Sequence, residues 1–336
     1  MRNYDLVSTA QTGGPTHGLV SPKWYQTEID RAVLKPLLVR DDRPAIRDII
    51  IYYGLMISFG ICAVILTPSL WSVPFWLAYG VFYASGSDAR WHECGHGTAF
   101  KSPWINRIVY QIASFMLIRN PVTWRWSHAR HHTDTLLVGR DAEIALMLPP
   151  KAVKLLLNLV GLPDIIDSIR RMAGHVIGNI QRDEAVYTPE HEHAKVFLVA
   201  RIWAVIFAGA IATSFYISSL VPVLLIGGPR LYGSWHFVMT GYLQHGGLRD
   251  NVTDHRLNSR TVLMNPVSRF LYLNMNYHIE HHMFPLVPYY NLPQLHQEIS
   301  YDLPPPSPSI WAAYAELLPI LRLQLKGEEV FIERSV

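Results

Sequence analysis

The chain alternates between long apolar runs and polar segments that carry clustered histidines. Three apolar runs contain no charged residue, at residues 49–66, 70–86 and 202–221. An α-helix needs about 20 such residues to cross the hydrocarbon core of a bilayer. A fourth run, residues 222–244, is interrupted by Gly227-Gly228-Pro229-Arg230 and could form a kinked span or a short hairpin; we expect a span that ends near His245. The pattern predicts an all-α integral membrane fold with about four transmembrane helices.

Shorter amphipathic segments are predicted to build a helical cap on one side of the membrane. Residues 104–118 suggest an interfacial or re-entrant helix, because Arg107 interrupts an apolar run that is too short to span. Residues 146–180 and 310–325 mix apolar and polar positions, as helices on a membrane surface do. The chain is therefore divided into a cytoplasmic N-terminal arm (1–47), a membrane domain with its cap (48–300) and a C-terminal cytoplasmic tail with an amphipathic helix (301–336).

Basic residues are distributed unevenly between the connecting segments. The short connections around Pro68 and Ser218 carry no Lys or Arg, whereas basic residues are frequent at the termini and in the long middle segment. Loops rich in Lys and Arg stay on the cytoplasmic side, so we expect both termini and all the histidine clusters to be cytoplasmic. The first 45 residues lack an apolar core after a basic start, which predicts no signal peptide.

Composition supports the membrane assignment and argues against other classes. Of the 336 residues, 16% are charged and 50% are hydrophobic, whereas soluble domains carry about 25% charged residues. The net charge of +3 comes without a block of Lys or Arg, so we expect no nucleic-acid partner. Two cysteines, Cys62 and Cys94, are too few for a disulfide framework or a fused iron–sulfur domain.

Nine of the sixteen histidines occur in a pattern that predicts a metal centre. They are His92, His96, His128, His131, His132, His245, His278, His281 and His282. Two clusters share the pattern His-x-x-His-His, and residues three and four apart share one face of a helix. Imidazole binds mid-series metals as the neutral base, and nine nitrogens exceed what one ion can use. The count therefore predicts a site for two metal ions.

The histidine clusters also occur, in part, in other classes of metal protein. The segment from His92 to His96 also fits the H-E-x-x-H pattern, in which Glu93 would be the general base of a zinc metalloprotease. A haem-binding electron carrier would need only two axial histidines, and a soluble di-iron bundle would need several Glu ligands. The remaining histidines are expected to be structural; they are His17, His175, His191, His193, His236, His255 and His296.

The three clusters resemble the histidine boxes of the membrane-bound fatty acid desaturase and hydroxylase superfamily, in order, spacing and position after the apolar runs. The resemblance covers residues 45–300. The sequence around the boxes, such as His282-Met283-Phe284-Pro285, is similar to that of a bacterial branch that contains rhizopine oxygenases and the dihydrorhizobitoxine desaturase. Two features depart from the acyl-CoA desaturases: three residues rather than four separate His92 from His96, and Gly241 stands where those enzymes carry Asn.

The resemblance implies an O2-dependent oxidoreductase of the bacterial inner membrane. The nine histidines would hold two non-haem iron ions on the cytoplasmic side, and no residue beyond the metal centre is predicted to be catalytic. O2 and two electrons would introduce a C=C bond into a fatty-acyl or small amphiphilic metabolite substrate. Hydroxylation of the substrate is the alternative that the resemblance leaves open.

The enzyme so implied needs an electron source and an ordered ligand shell. The chain has neither a haem motif nor a cysteine cluster, so we expect a separate ferredoxin, rubredoxin or cytochrome with its reductase. Basic residues that could dock an acidic carrier are Arg119, Arg125, Arg130, Lys151 and Lys154. Ligating histidines usually donate their second N–H to a carboxylate or carbonyl. The carboxylates predicted for this role are Asp88, Asp134, Asp250, Asp254 and Glu280.

Overall fold

A computed structural model describes residues 2–8 and 22–336, and within them the chain is mostly helical. Strand-like pairing in these residues is limited to two isolated bridges, Thr261–Tyr277 and Val262–Ser307. The α-helices in chain order are α1 (Arg31–Leu37), α2 (Asp42–Leu66), α3 (Val73–Gly80), α4 (Ser87–His96), α5 (Pro103–Leu117), α6 (Pro121–Asp134), α7 (Ala152–Asn158), α8 (Leu162–Val176), α9 (Arg182–Ala185), α10 (His193–Tyr216), α11 (Val221–Leu225), α12 (Pro229–Tyr232), α13 (Trp235–His245), α14 (His255–Asn258), α15 (Pro266–Leu271), α16 (His278–Met283), α17 (Leu292–Ile299) and α18 (Ile310–Leu325). The all-α prediction is confirmed.

Two helices are long and apolar enough to cross a membrane, α2 and the segment Glu190–Tyr216 that contains α10. Only 17% and 22% of their most apolar windows are buried inside the protein, whereas a core helix of a soluble protein would be mostly buried. Large apolar side chains such as Ile57, Ile65 and Val205 are exposed along them. These helices correspond to the first and third predicted spans, although α2 already begins at Asp42.

The second apolar run belongs to a longer helical rod. A 3₁₀ turn, α3, a π-helical segment (Val81–Gly86) and α4 follow one another without a break from Leu70 to His96. The rod therefore carries the first histidine pair directly out of the apolar run. π-Helical segments are frequent at functional sites. Here the carbonyl of Gly86 accepts a hydrogen bond from Arg90 Nη1 (2.9 Å), which also donates to the carbonyl of Leu271 (2.9 Å).

The fourth apolar run is not one helix. It is divided among α11, α12 and α13, with breaks at Gly227, whose φ is +84°, and at Gly233. The predicted kink at Gly227 is therefore a full interruption of the helix. Two candidate spans are present in the described part of the chain, and the total of about four transmembrane helices stays a prediction.

Of the amphipathic segments, α5 contributes to the main hydrophobic core, which also contains Ile279 and Met283 of the last histidine cluster, whereas α18 packs in a smaller core with Leu243; a cap on one side of a membrane stays a prediction. Helix α5 buries Val109, Tyr110 and Leu117 while Trp104 and Ile108 stay exposed, which suits the interfacial helix predicted there. Helices α7 and α8 lie in the predicted surface segment, and α18 has the bounds that the sequence predicts. The boundaries of the three chain parts stay predictions, and the part of the N-terminal arm at residues 1 and 9–21 lies outside the described residues.

The backbone of the rod is in direct contact with the backbone of the segment that precedes α13. Gly80 in α3 faces Gly233, and a methyl group on Gly233 would overlap the carbonyl of Gly80. Ser85 extends the contact, because its hydroxyl donates to the carbonyl of Gly233 (2.6 Å) and accepts from the backbone N–H of Phe237 (3.0 Å). This contact sets α13, which carries His245, against the rod that carries His92.

We expect Gly233→Ala to destabilise the protein, because overpacking a close contact costs about 1–3 kcal/mol or more. Gly209→Ala is the matched control, since a Cβ on this exposed glycine of α10 meets no atom within 4 Å. Thermal unfolding of the detergent-solubilised protein should show a lower midpoint for Gly233→Ala and an unchanged or slightly higher midpoint for Gly209→Ala. Equal midpoints for the two variants would contradict the backbone contact.

Candidate metal centre

Four helices deliver the nine predicted histidines to one region of the cap. Helix α6 begins at Pro121 and is capped by Asn120, whose side chain accepts from the N–H of Val122 (3.1 Å). His96, His131, His132 and His245 lie in the last turns of α4, α6 and α13, and His92 and His128 lie one turn earlier in α4 and α6. The carbonyl ends of these helices therefore gather around the site, and the partial negative charge of a helix C-terminus favours cations.

All nine histidines converge, and they do so in two groups. The first group is His92, His96, His128, His132 and His281. The second group is His131, His245, His278 and His282. Within each group the ring nitrogens that would act as ligands lie within 4.8 Å of one another. The described residues thus contain two adjacent sites of five and four imidazoles.

Helical geometry explains how the two His-x-x-His-His clusters are divided. Residues four apart lie nearly above each other, whereas the residue at the third position is displaced to the other side of the same face. Helix α6 gives its four-apart pair, His128 and His132, to the first group and His131 to the second. Helix α16 does the reverse, because His278 and His282 join the second group while His281 joins the first.

The spacing of the nitrogens fits a shared ion in each group. The Nε2–Nε2 distances in the first group are 2.7 Å (His92–His281), 3.1 Å (His96–His128) and 3.2 Å (His132–His281). In the second group His278 Nε2 lies 3.0 Å from the Nε2 atoms of both His245 and His282. Two nitrogens bound at about 2.1 Å to one ion at right angles are about 3.0 Å apart. The donor set therefore fits metal binding.

Burial keeps most of these rings in the neutral form that binds metal. Desolvation first, and neighbouring histidines second, hold the pKa values of His92, His96, His132, His278 and His282 well below the usual value. The same burial also holds the pKa of His245 well below the usual value and lowers that of His281 to about 3. These rings are therefore uncharged at physiological pH, with a lone pair available for an ion.

Second hydrogen bonds orient four of the rings. The Nδ1 atoms of His128 and His131 face the carboxylates of Glu143 (3.0 Å) and Asp141 (2.9 Å). Those of His245 and His282 face the Asn258 carbonyl (2.8 Å) and the Thr135 hydroxyl (3.2 Å). Such contacts fix which nitrogen carries the proton and turn the other towards the site. The Nδ1 atoms of His132, His278 and His281 are buried without a partner in the described part of the chain.

Asp141 and Glu143 also affect pKa values at the site. Burial lowers the pKa of His131, but the neighbouring Asp141 outweighs this effect and raises it to about 9. Burial would raise the pKa of Glu143, yet the contact with His128 lowers it to about 2. Glu143 is therefore an ionised acceptor beside the ring of His128.

The predicted orienting carboxylates were wrong, because each has a different partner. Asp88 binds Arg119 (2.6 Å), Asp134 binds Arg140 (2.8 Å), Asp250 binds Arg2, Asp254 binds Arg256 (2.8 Å) and Glu280 binds His296 and Thr261. The prediction chose carboxylates close in sequence to the histidines. The carboxylates found in contact with Nδ1 atoms lie farther along the chain, Asp141 ten residues after His131 and Glu143 fifteen residues after His128. The only sequence signal for them was a pair of carboxylates after the turn at Gly139.

The histidines outside the two groups have other contacts. His175 is buried against Glu184 (2.9 Å), and His296 binds Glu280. His255 differs from these, because its ring packs 4.9 Å from the ring of His282 and 4.1 Å from that of Trp24. His17 lies outside the described residues.

A cavity of about 450 Å³ opens beside the site. Five of the nine histidines line it: His92, His128, His131, His245 and His278. Gly241 also lines it, one helical turn before His245 on α13, and a Cβ there would meet no atom within 4 Å. The absent side chain of Gly241 therefore leaves room next to the histidines.

A buried ion-pair network forms one wall of this cavity. Arg119 donates to Asp88 (2.6 Å) and lies 4.0 Å from Asp164, which pairs with the fully buried Arg230. Burial raises the pKa of the Asp88 carboxyl even though Arg119 lies beside it. Arg119 also lies over Trp124 (4.8 Å to the ring centroid). Arg119 is therefore a wall residue and not part of a surface for docking a carrier.

Glu93 does not fit the role of a protease base. One carboxylate oxygen of this fully buried residue accepts from the hydroxyl of Thr98 (2.7 Å) and from the backbone N–H of Tyr289 (3.2 Å). Burial raises its pKa to about 7. These contacts assign Glu93 to the packing of α4 against the segment after the third box.

Comparison with known proteins agrees with this geometry. Residues 30–314 match the family model described as fatty acid desaturase, and the chain belongs to that family. The family is membrane-bound, and it is distinct from the zinc metalloproteases and haem carriers that the histidine pattern alone left open. The predicted family is confirmed; the resemblance to a bacterial branch of it stays a prediction.

Several plant desaturases are similar to the chain at low identity. The acyl-lipid omega-3 desaturase (cytochrome b5) of the endoplasmic reticulum of Arabidopsis thaliana is 25% identical over 246 residues, which is 66% of this chain and 63% of the relative. The chloroplastic omega-3 fatty acid desaturase of Sesamum indicum is 23% identical, over 65% of this chain and 54% of the relative. The sn-2 acyl-lipid omega-3 desaturase (ferredoxin) of Arabidopsis thaliana chloroplasts is 23% identical, over 65% and 52%. The chain thus matches between half and two thirds of the length of these relatives.

We expect Asp141→Asn to weaken metal binding by about 10- to 100-fold, the usual effect of losing an orienting partner of a ligating histidine. Metal analysis of the protein dialysed against graded chelator measures the change. Asp254→Asn is the matched control, because its side chain caps α14 and faces Arg256 rather than a clustered histidine. Equal metal retention by both variants would show that Asp141 does not support the centre.

Proposed function

We propose that the chain is a multi-pass membrane desaturase in which the nine histidines hold two non-haem iron ions that use O2. Two hydrogen atoms leave adjacent carbons of the substrate and a C=C bond forms. O2 accepts these two hydrogens together with two electrons and two protons, and two molecules of water result. The observation that carries the proposal is the convergence of nine mostly neutral imidazoles in two adjacent groups in a chain of the fatty acid desaturase family.

The choice of iron rests on the reaction and on the donor set. Imidazole suits iron, zinc, copper and nickel, but zinc has no redox chemistry, and the proposed reaction moves electrons. The iron pair would supply the activation of O2 that an unreactive C–H bond requires. With ions bound, Asp141 and Glu143 would accept the Nδ1 protons of His131 and His128, which would leave the Nε2 lone pairs of these rings for the metal.

The cavity is the proposed substrate site. It reaches five of the clustered histidines and has apolar walls, including Trp91 and Phe237, beside the Arg119–Asp88 ion pair. Apolar walls exclude water from the reacting carbons, and the ion pair offers contacts for a polar group. A fatty-acyl chain or a small amphiphilic metabolite would fit this mixture. The similar plant proteins are acyl-lipid or fatty acid desaturases, which favours desaturation over hydroxylation.

The electrons are proposed to come from a separate carrier protein. Two of the similar plant desaturases are named for cytochrome b5 and for ferredoxin, so carriers of both kinds are candidates, as is a rubredoxin. The chain is proposed to lie in a bacterial inner membrane with the metal centre and both termini on the cytoplasmic side. Membrane lipid is therefore the second partner, and no nucleic acid is involved.

The proposal predicts about two irons per chain in protein purified after expression in iron-rich medium. Whole cells that also express a matched reductase should convert lipids or small metabolites to products lighter by two mass units. A His132→Ala variant, which removes a ligand of the first group, should yield neither product nor full iron. One zinc per chain without iron would refute the proposal, and products heavier by sixteen mass units would replace desaturation by hydroxylation.

A second prediction concerns the space beside Gly241. Gly241→Phe should fill part of the cavity and lower turnover of the bulkiest accepted substrate by about tenfold or more, since misplacing a substrate by about 1 Å costs up to 100-fold. Iron content should stay at the wild-type level, because Gly241 is not a ligand. Gly209→Phe, on the exposed face of α10, controls for adding a ring to a helical glycine. Unchanged turnover in Gly241→Phe would show that substrate does not use this cavity.

A further inference from the structure

The N-terminal arm places an aromatic ring against the outer side of the metal centre. Trp24 is half-buried, and its ring stacks on that of His255 with centroids 4.1 Å apart and planes 4° from parallel. His255 is 2% exposed, and its ring lies 4.9 Å from that of His282. His282 in turn stacks on His132 at 4.4 Å. A column of four rings therefore runs from the surface of the described structure to ligands of both groups.

Trp24 also has a second, bonded connection to the centre. Its indole N–H donates to the carbonyl of Thr133 (2.9 Å), the residue that follows His132. One hydrogen bond and one peptide unit thus link the indole to a clustered histidine. The two connections reach different groups, because His132 belongs to the first group and His282 to the second.

The arm is held in this position by contacts on both sides of Trp24. The backbone N–H of Tyr25 donates to the carbonyl of Thr253 (2.9 Å), and the side chain of Gln26 donates to the carbonyl of Met283 (3.0 Å). Thr27 donates to Asp302 (2.7 Å). The ring column is therefore part of the packed structure.

The column approaches the centre from the side that the cavity does not use. His132 and His282, the histidines that it reaches, are absent from the cavity wall, as are Trp24 and His255. A substrate in the cavity would leave the column free, so that electrons and substrate can reach the ions from different directions.

We propose that Trp24 and His255 form the route by which electrons from an external one-electron carrier protein enter the metal centre. The inference rests on the proposed function, which consumes two electrons per C=C bond formed. Each electron passes from the reduced carrier to one ferric ion, and the carrier is left oxidised by one electron. Contacting rings and bonded atoms favour this passage because tunnelling slows steeply with distance and most steeply across gaps.

The test delivers electrons beside Trp24 without relying on a particular carrier. A photoactive ruthenium label is attached to Lys23→Cys in a Cys62→Ser background of the iron-loaded protein, and reduction of ferric iron is followed by absorbance after a flash. Trp24→Leu should slow this reduction by about tenfold or more, which corresponds to about 1.4 kcal/mol on the barrier. Trp24→Phe, which keeps a ring, should recover most of the rate. Trp311→Leu, at a 78% exposed tryptophan of α18, should have no effect.

Two further readouts separate electron transfer from a structural role. Iron content, and the rate of reduction by dithionite in solution, should be the same in wild type and in every Trp24 variant. If Trp24→Leu is reduced at the wild-type rate after the flash, the proposal is overturned. It is also overturned if Trp24→Leu slows reduction by the label and reduction by dithionite to the same extent, or if this variant loses iron. If wild-type protein holds no iron that dithionite can reduce, the proposed function itself fails before any variant is compared.

Discussion

The convergence of nine imidazoles, mostly neutral, is the interaction on which the rest of this molecule depends. Burying so many nitrogen lone pairs within a few ångströms of one another is costly unless something accepts them, and metal ions are the acceptors that match their spacing. The helix termini, the ion-pair wall beside Arg119 and the close contact at Gly233 can all be understood as holding these rings in place. The fold is thus organised around a polar centre in the cap, with much of the apolar surface of the two candidate spans left outside.

The two groups are not equivalent, which bears on how they would work. Three of the four rings in the second group have Nδ1 partners, namely His131, His245 and His282. In the first group only His128 has such a partner in the described part of the chain. Partners on Nδ1 raise the basicity of a ligating imidazole and fix its orientation. The second group is therefore the more rigid of the two, and the first has more freedom to adjust.

Much of the site could be predicted from sequence because its geometry is local. The spacing in His128-x-x-His131-His132 already encodes a shared helical face, and the same pattern at His278 made a common centre a strong prediction. Asp141 and Asn258 could not be predicted, because they reach their histidines through turns whose paths depend on the folded cap. The same limit applies to the fourth apolar run, where hydropathy alone does not tell a kinked span from helices separated at Gly227 and Gly233. His255 was assigned a structural role because nothing in the sequence brings it near Trp24.

The terminal segments complete the centre rather than flank it. Residues of the N-terminal arm, Trp24 and Gln26, contact the second and third histidine clusters through backbone carbonyls. From the other end of the chain, the N–H of Ile332 donates to the carbonyl of Gly247 (2.7 Å), two residues after His245, and Phe331 lines the cavity. These contacts cross the boundaries suggested by composition at residues 47 and 301. Both terminal segments therefore add hydrogen bonds next to the histidine clusters, and α16 itself is buried along its whole length. Residues of the N-terminal arm and of the C-terminal tail therefore help to position the clustered histidines.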